Sequence, residues 1–82
     1  MTHELVGRRI RMTVTKEVYP TGIFRAGLTG TIAIVDQYII AVEMDEHRDE
    51  LDEWDNELHW YIDDLEPGQV LVDEFLKQVE LI

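Results

Sequence analysis

The chain has 82 residues, of which 45% are hydrophobic, and its formal net charge at pH 7 is −11. This length suits one domain, the hydrophobic content argues against disorder, and the absence of cysteine excludes disulfides and thiolate metal sites. Because acid disfavours anionic membranes and phosphate backbones, and neither a signal peptide nor a membrane-spanning apolar run is evident, we expect a cytoplasmic protein that contacts neither membrane nor nucleic acid directly.

Alternating apolar residues predict the first two strands of an antiparallel sheet. Residues 8–15 form the first, with Ile10, Met12 and Val14 on one face, and residues 28–35 form the second, with Ile32 and Ile34 on one face. Residues 16–27 between them are rich in turn formers and predict a long loop, which folds back onto the body. Glycines 27 and 30 indicate a bend or a close backbone approach at the start of the second strand.

The remaining regular elements lie on either side of an acidic stretch. The alternation of residues 38–44 predicts a third strand, and residues 58–62 predict a fourth. Residues 70–77 suit one or two helical turns before a short last strand over residues 78–82. Five short strands with a late helical turn favour a mainly β, antiparallel small barrel that occupies the whole of residues 1–82 as one domain.

Almost all of the negative charge lies in the second half of the chain. Residues 1–44 have a net charge of +1, whereas residues 45–82 carry fourteen acids and two basic residues. Residues 45–57, here called the acidic segment, hold eight carboxylates: Asp45, Glu46, Asp49, Glu50, Asp52, Glu53, Asp55 and Glu57. Crowded like charges weaken a compact fold, so we expect the segment to face solvent or a cationic partner.

The conformation of the acidic segment has two interpretations. His47, Leu51, Trp54 and Leu58 follow one another at helical spacing, and Asp45 could cap a helix. Repulsion between like charges three and four residues apart opposes that helix. We therefore favour a loop that contains one or two helical turns.

Three stretches resemble the Src-homology-3-like small barrels of bacterial and phage proteins. They are Gly7-Arg8-Arg9-Ile10-Arg11-Met12 entering strand one, Arg25-Ala26-Gly27-Leu28-Thr29-Gly30-Thr31-Ile32 entering strand two, and Phe75-Leu76-Lys77-Gln78-Val79-Glu80-Leu81-Ile82 at the end. The resemblance implies a five-stranded antiparallel barrel. It also makes the acidic segment an insertion between strands three and four, where these barrels usually have a tight hairpin.

Little in the sequence indicates catalysis or a cofactor. The chain has no cysteine and no serine, and its carboxylates crowd at what should be the surface instead of an apolar pocket. The acidic segment offers oxygen ligands that suit calcium, but it lacks the glycine and glutamate spacing of an EF-hand. We therefore expect a non-enzymatic protein with no cofactor and no dedicated metal site.

The leading functional hypothesis is a nucleic-acid mimic. A helix over the acidic segment would carry one charge per roughly 2.4 Å, near the one per ~1.7 Å of duplex DNA. Such a protein would inhibit a partner by occupying its basic, nucleic-acid-binding surface, and in size and charge the chain looks like phage anti-CRISPR and anti-restriction inhibitors. The predicted contact residues are Asp45, Glu46, Asp49, Glu50, Asp52, Glu53, Trp54, Asp55, Glu57, Tyr19 and Phe24.

Three other interpretations stay open. The chain could be an accessory or assembly subunit that docks on a larger complex through Tyr19, Phe24 and Trp54, since aromatic residues commonly carry binding energy at interfaces. It could neutralise a basic toxin by the same electrostatic means. Alternatively, the acidic half could simply be a solvated face that keeps the protein soluble. The sequence indicates no oligomeric state.

Overall fold

The computed structural model describes residues 3–18 and 22–82. Within this part of the chain the structure has seven strands, two 3₁₀ helices and one α-helix. In chain order they are β1 (Arg9–Met12), β2 (Lys16–Val18), β3 (Gly22–Phe24), β4 (Thr29–Val35), β5 (Ile39–Met44), a first 3₁₀ helix (Asp49–Trp54), β6 (Glu57–Tyr61), a second 3₁₀ helix (Ile62–Asp64), α1 (Leu71–Leu76) and β7 (Val79–Leu81).

Five of the strands form one antiparallel sheet in the order β6-β5-β4-β1-β7. The other two, β2 and β3, form a separate antiparallel hairpin. The mainly β, five-stranded antiparallel prediction is confirmed, but the sheet does not close into a barrel. Among the described residues β6 and β7 are the two edges of the sheet and do not pair with each other, and α1 contacts both of them as well as β5.

The core lies against one face of this sheet. It is built from alternate residues of the strands, together with residues of α1 and the first 3₁₀ helix. Its completely or almost completely buried members include Ile10, Met12, Phe24, Ile32, Ile40, Val42, Leu51, Leu58 and Phe75. The alternation read from residues 38–44 and 58–62 therefore identified the buried faces of β5 and β6. That of residues 8–15 identified Ile10 and Met12 in β1, whereas Val14 lies beyond the end of β1 and is exposed.

One β-bulge changes the predicted face of β4. The register against β5 shifts between Ile32 and Ile34, which places an extra residue in β4. Ile32 is buried, but Ile34 is 41% exposed, and Val35 packs against the core in its place. The prediction that Ile32 and Ile34 share a face was wrong because a bulge reverses the alternation beyond it.

The predicted loop over residues 16–27 contains the β2–β3 hairpin. Short strands interrupted by turn formers carry too little alternation to be recognised from sequence. The two glycines near the start of β4 behave as predicted. Gly27 has a φ of +102°, and a Cβ on Gly30 would lie 2.7 Å from the Glu43 carbonyl oxygen. None of the helices in residues 3–18 and 22–82 has the length and apolar character needed to cross a bilayer.

Candidate functional site

The acidic segment leaves β5, forms a short 3₁₀ helix over Asp49–Trp54 and returns into β6. Leu51 is the buried residue of this helix, and it fixes the segment to the core. The helix ends because Asp55 and Asn56 adopt left-handed conformations, with φ of 54° and 62°. The loop with one or two helical turns that we favoured is therefore close to the observed conformation.

Asn56 holds the two ends of the segment together. Its side-chain amide donates to the carbonyl oxygens of Met44 at 2.9 Å and Glu46 at 3.1 Å. Its side-chain oxygen accepts a hydrogen bond from the backbone N–H of Arg48 at 2.9 Å. Asparagine tolerates the left-handed region better than most residues, which suits it to this position. The sequence analysis predicted no structural role for Asn56. The signal available in the sequence was its position just before a predicted strand.

Two arginines neutralise part of the segment's charge. Arg9 on β1 forms a two-pronged ion pair with Asp45, which also accepts a hydrogen bond from the Thr29 hydroxyl. These contacts, led by the hydrogen bond from Arg9, lower the pKa of Asp45 from 3.8 to about 2. Arg48 pairs with Glu50 at 3.0 Å. Asp45 and Glu50 are thus engaged within the molecule, which weakens their prediction as partner contacts.

The other carboxylates of the 3₁₀ helix and its cap are exposed to solvent. Asp49 has 90% of its side chain accessible, and Asp52, Glu53 and Asp55 are also exposed. Glu46 is exposed at the start of the segment, whereas Glu57 lies partly buried on β6. Most of the predicted acidic contact residues are therefore exposed to solvent within one short segment.

One histidine lies among these carboxylates. The Nε2 atom of His47 is 3.4 Å from an Asp49 oxygen and 3.2 Å from an Asp52 oxygen. The three ligand atoms lie within 4.8 Å of one another, so they could share a hydrated divalent cation. All three side chains are exposed, and exposed acidic groups commonly gather without a metal.

The three predicted aromatic contacts have different surroundings. Trp54 is 43% exposed at the end of the 3₁₀ helix, so its indole is available to a partner. Phe24 is fully buried in the core, and the Arg48 guanidinium lies 4.5 Å from its ring centre. The prediction that Phe24 contacts a partner is therefore wrong, because no part of its surface is exposed. Tyr19 lies outside the described residues.

A cleft of about 360 Å³ runs beside Trp54, between β2 and the outward face of β6. Val18, Leu51 and Leu58 contribute apolar atoms to its lining, and Lys16 lies at its border. The Lys16 ammonium sits 5.1 Å from the ring centre of the buried Trp60. Burial lowers the pKa of Lys16, an effect opposed by the nearby charge of Asp64.

Alternate residues of β6 place Glu57, His59 and Tyr61 along this cleft. The His59 ring connects the other two, with Nδ1 at 3.0 Å from the Tyr61 hydroxyl oxygen and Nε2 at 3.2 Å from a Glu57 oxygen. The sequence analysis missed this row. The signal available in the sequence was the second face of the strand predicted over residues 58–62.

Comparisons of the chain with family models, curated proteins and solved structures found no match.

Proposed function

We propose that this protein is a non-enzymatic binding protein that docks its acidic segment on the basic surface of a partner protein, one that itself binds nucleic acid. One observation carries the proposal: the carboxylates of Asp49, Asp52, Glu53 and Asp55 are exposed together on a six-residue helix and its cap, beside the half-exposed Trp54. Interfaces that combine charge with an aromatic anchor suit fast and specific association.

The internal ion pairs leave most of this charge available. Eight carboxylates and the two pairing arginines, Arg9 and Arg48, leave a net charge of −6 when His47 and His59 are neutral. Asp55 and Glu53 make no ion pair with any of the residues in 3–18 and 22–82. A cationic surface would therefore gain contacts that the protein itself does not satisfy.

The spacing of the charges supports imitation of a single nucleic-acid strand. Six residues of 3₁₀ helix extend about 12 Å at ~2.0 Å per residue, and they carry Asp49, Glu50, Asp52 and Glu53. Because Glu50 is paired with Arg48, the three other carboxylates give one charge per ~4 Å, near the ~3.4 Å of one DNA strand and sparser than the ~1.7 Å of a duplex. An inhibitor of the anti-CRISPR or anti-restriction type is the most specific form of this proposal.

The strand order supports the further proposal that the fold is related to Src-homology-3-like small barrels. The five-stranded antiparallel main sheet and the helix before β7 support it, whereas the open sheet departs from the closed barrel that the resemblance implies. In that comparison the acidic segment is the insertion between the third and fourth strands of the main sheet. Function still rests on the segment, because small barrels host many activities.

The second candidate function is an accessory subunit that docks through aromatic residues. The exposure of Trp54 favours it, and Tyr61, also 43% exposed, adds a second aromatic ring beside the same cleft. The burial of Phe24 removes one of its three predicted anchors. The two functions differ in whether charge or aromatic surface dominates the affinity.

Affinity capture from extracts of the source cells separates the two. The immobilised protein should retain proteins that bind nucleic acid, and single-stranded DNA should release them. Raising the salt from about 50 to about 200 mM should reduce capture about tenfold or more, because the interaction is electrostatic. The test variant replaces Asp49, Asp52 and Asp55 by Asn and Glu53 by Gln, and it should lose capture while Trp54→Ala retains part of it.

The matched control removes four charges elsewhere. Glu4→Gln, Asp63→Asn, Glu66→Gln and Asp73→Asn alter exposed residues outside the acidic segment and leave the same net charge as the test variant. This control should capture the same proteins as the unaltered chain. Equal capture by both quadruple variants would contradict the proposal. Loss with Trp54→Ala and not with the test variant would instead favour the accessory subunit.

A further inference from the structure

The cleft beside Trp54 has the chemistry of a site for a cation. Three carboxylates line it, those of Glu17, Glu57 and Asp64, against the single ammonium of Lys16. With His59 neutral, its net charge is −2. Its aromatic border, Trp54 and Tyr61, offers π faces of the kind that attract cations.

The hydrogen bonds along β6 leave acceptors directed at a ligand. The Glu57 carboxylate can only accept, so His59 donates from Nε2 and its Nδ1 accepts the Tyr61 hydroxyl proton. The Tyr61 oxygen then keeps its lone pairs for another donor. Glu57 also keeps a second oxygen, which is free of this contact with His59. Together, Glu57, His59 and Tyr61 therefore offer more hydrogen-bond acceptors than donors.

We propose that this cleft receives an arginine side chain of the partner protein, whose guanidinium stacks against Trp54 and donates to Tyr61 and Glu57. This inference rests on the proposed function, because it names the group of the basic partner that anchors the contact. Arginine fits better than lysine for physical reasons: its planar group stacks on aromatic rings, presents five donors and is less strongly hydrated than an ammonium.

Lys16 provides an internal check on this assignment. Its ammonium borders the cleft and already interacts with Trp60 and Asp64, so it opposes the entry of a second cation. Lys16→Met keeps most of the aliphatic packing on Trp60 and changes the net charge of the cleft from −2 to −3. A cation site should bind more tightly after this change, whereas a site for an anion should bind more weakly.

The test uses the full chain labelled with ¹⁵N and the peptide acetyl-Gly-Arg-Gly-amide as the probe. The peptide should shift the indole resonance of Trp54 and the amides of residues 57–61. The amides of β7, none of whose residues line the cleft, serve as an internal reference. A peptide with citrulline in place of arginine, similar in shape but uncharged, should bind about tenfold more weakly.

Two variants of the protein complete the experiment. Lys16→Met should tighten binding of the arginine peptide by about threefold, the scale of a partly exposed charge pair, and Trp54→Ala should abolish the shifts of residues 57–61. Equal binding of the citrulline peptide, or weaker binding by Lys16→Met, would overturn the proposal. The gain in affinity from Lys16→Met stays informative even if Trp54→Ala does not fold.

The quadruple variant of the acidic segment separates this proposal from the proposed function. It leaves Lys16, Glu57 and Tyr61 unchanged, so it should retain most of the local shifts at Trp54 and β6 with the arginine peptide. If it binds the peptide but the segment proves irrelevant to capture, the cleft stands and the proposed function fails. If capture depends on the segment while the peptide leaves Trp54 and β6 unshifted, the proposed function stands and the cleft assignment fails.

Discussion

The Arg9 guanidinium on β1 forms an ion pair with the carboxylate of Asp45, which lies 36 residues later in the sequence at the start of the acidic segment. Its two terminal nitrogens each donate to a different oxygen of Asp45, one of them at 2.6 Å, and Arg9 also donates to the Thr31 hydroxyl at 3.0 Å. Two-pronged pairs of this kind fix orientation as well as charge. The pair therefore sets where the acidic segment leaves the sheet.

The stability of the fold should depend on the charge of Asp45 at low pH. Its folded pKa of about 2 lies below the ordinary 3.8, so the folded state favours the ionised form. The contribution to the free energy of unfolding is complete above about pH 4 and is lost as the pH falls toward 2. Asp45→Asn should therefore be less stable than the unaltered protein at about pH 6, with a difference that shrinks toward about pH 2.

Urea unfolding across this pH range measures the effect. Asp63→Asn, which alters an exposed carboxylate of the second 3₁₀ helix, is the control, and its difference from the unaltered protein should stay small at every pH. A constant difference between Asp45→Asn and the unaltered protein down to the lowest pH would mean that Asp45 does not titrate as described.

Among the polar residues of the acidic segment, Asn56 should be the one whose substitution lowers the free energy of unfolding most. Asn56→Gly tolerates the φ of 62° but loses three side-chain hydrogen bonds at the base of the loop, so we expect a loss of about 1–3 kcal/mol in the free energy of unfolding. Asn56→Ala should lose about 1 kcal/mol more, because alanine is strained in the left-handed region. Thermal or urea unfolding at neutral pH gives both values.

Asp55→Gly is the matched change at the neighbouring left-handed position. Its side chain makes no hydrogen bond with any residue in 3–18 or 22–82, and glycine adopts its φ of 54° without strain. This variant should be as stable as the unaltered protein or slightly more stable. An equal loss from Asp55→Gly and Asn56→Gly would show that backbone conformation, and not the side-chain amide, holds the loop.

The sequence predicted those parts of the fold that depend on regular local patterns. In the strand predicted over residues 38–44, the alternate residues Ile40, Val42 and Met44 are all buried in β5. The bulge in β4 could not be predicted, because it depends on how β4 registers against β5 and leaves no trace in the composition around Ile34. The β2–β3 hairpin was missed since three-residue strands show no clear period.

The candidate site also has one part that could be predicted from the sequence and one part that could not. The exposed acids of the segment were predictable because charge density is a property of the sequence itself. The cleft was not, since it joins β2, the first 3₁₀ helix and β6, which are separated by more than thirty residues between Val18 and Leu51. Whether an aromatic residue in a loop is buried also depends on distant contacts, and this is why Phe24 and Trp54 could not be told apart.

Gly30 should not tolerate a side chain. A Cβ at this position would lie 2.7 Å from both the Glu43 carbonyl oxygen and the Val42 Cγ1 atom, and the carbonyl cannot move without disturbing β5. We expect Gly30→Ala to lose about 1–3 kcal/mol in the free energy of unfolding through overpacking. Gly7→Ala is the comparison, because a Cβ there meets nothing within 4 Å and only its φ of +90° is unfavourable. Urea unfolding should rank Gly30→Ala as the less stable of the two, and the reverse order would contradict the close approach.

Phe24 should matter for stability and not for partner contact. Its ring is fully buried, so Phe24→Ala should lose about 3–5 kcal/mol, a large share of the ~4–12 kcal/mol expected for a domain of this size. Ile23→Ala is the control on the same strand, since Ile23 is exposed and should change the free energy of unfolding by about 0.5 kcal/mol or less. Urea unfolding compares the two variants. An unchanged midpoint for Phe24→Ala would place this ring at the surface and restore it as a candidate contact.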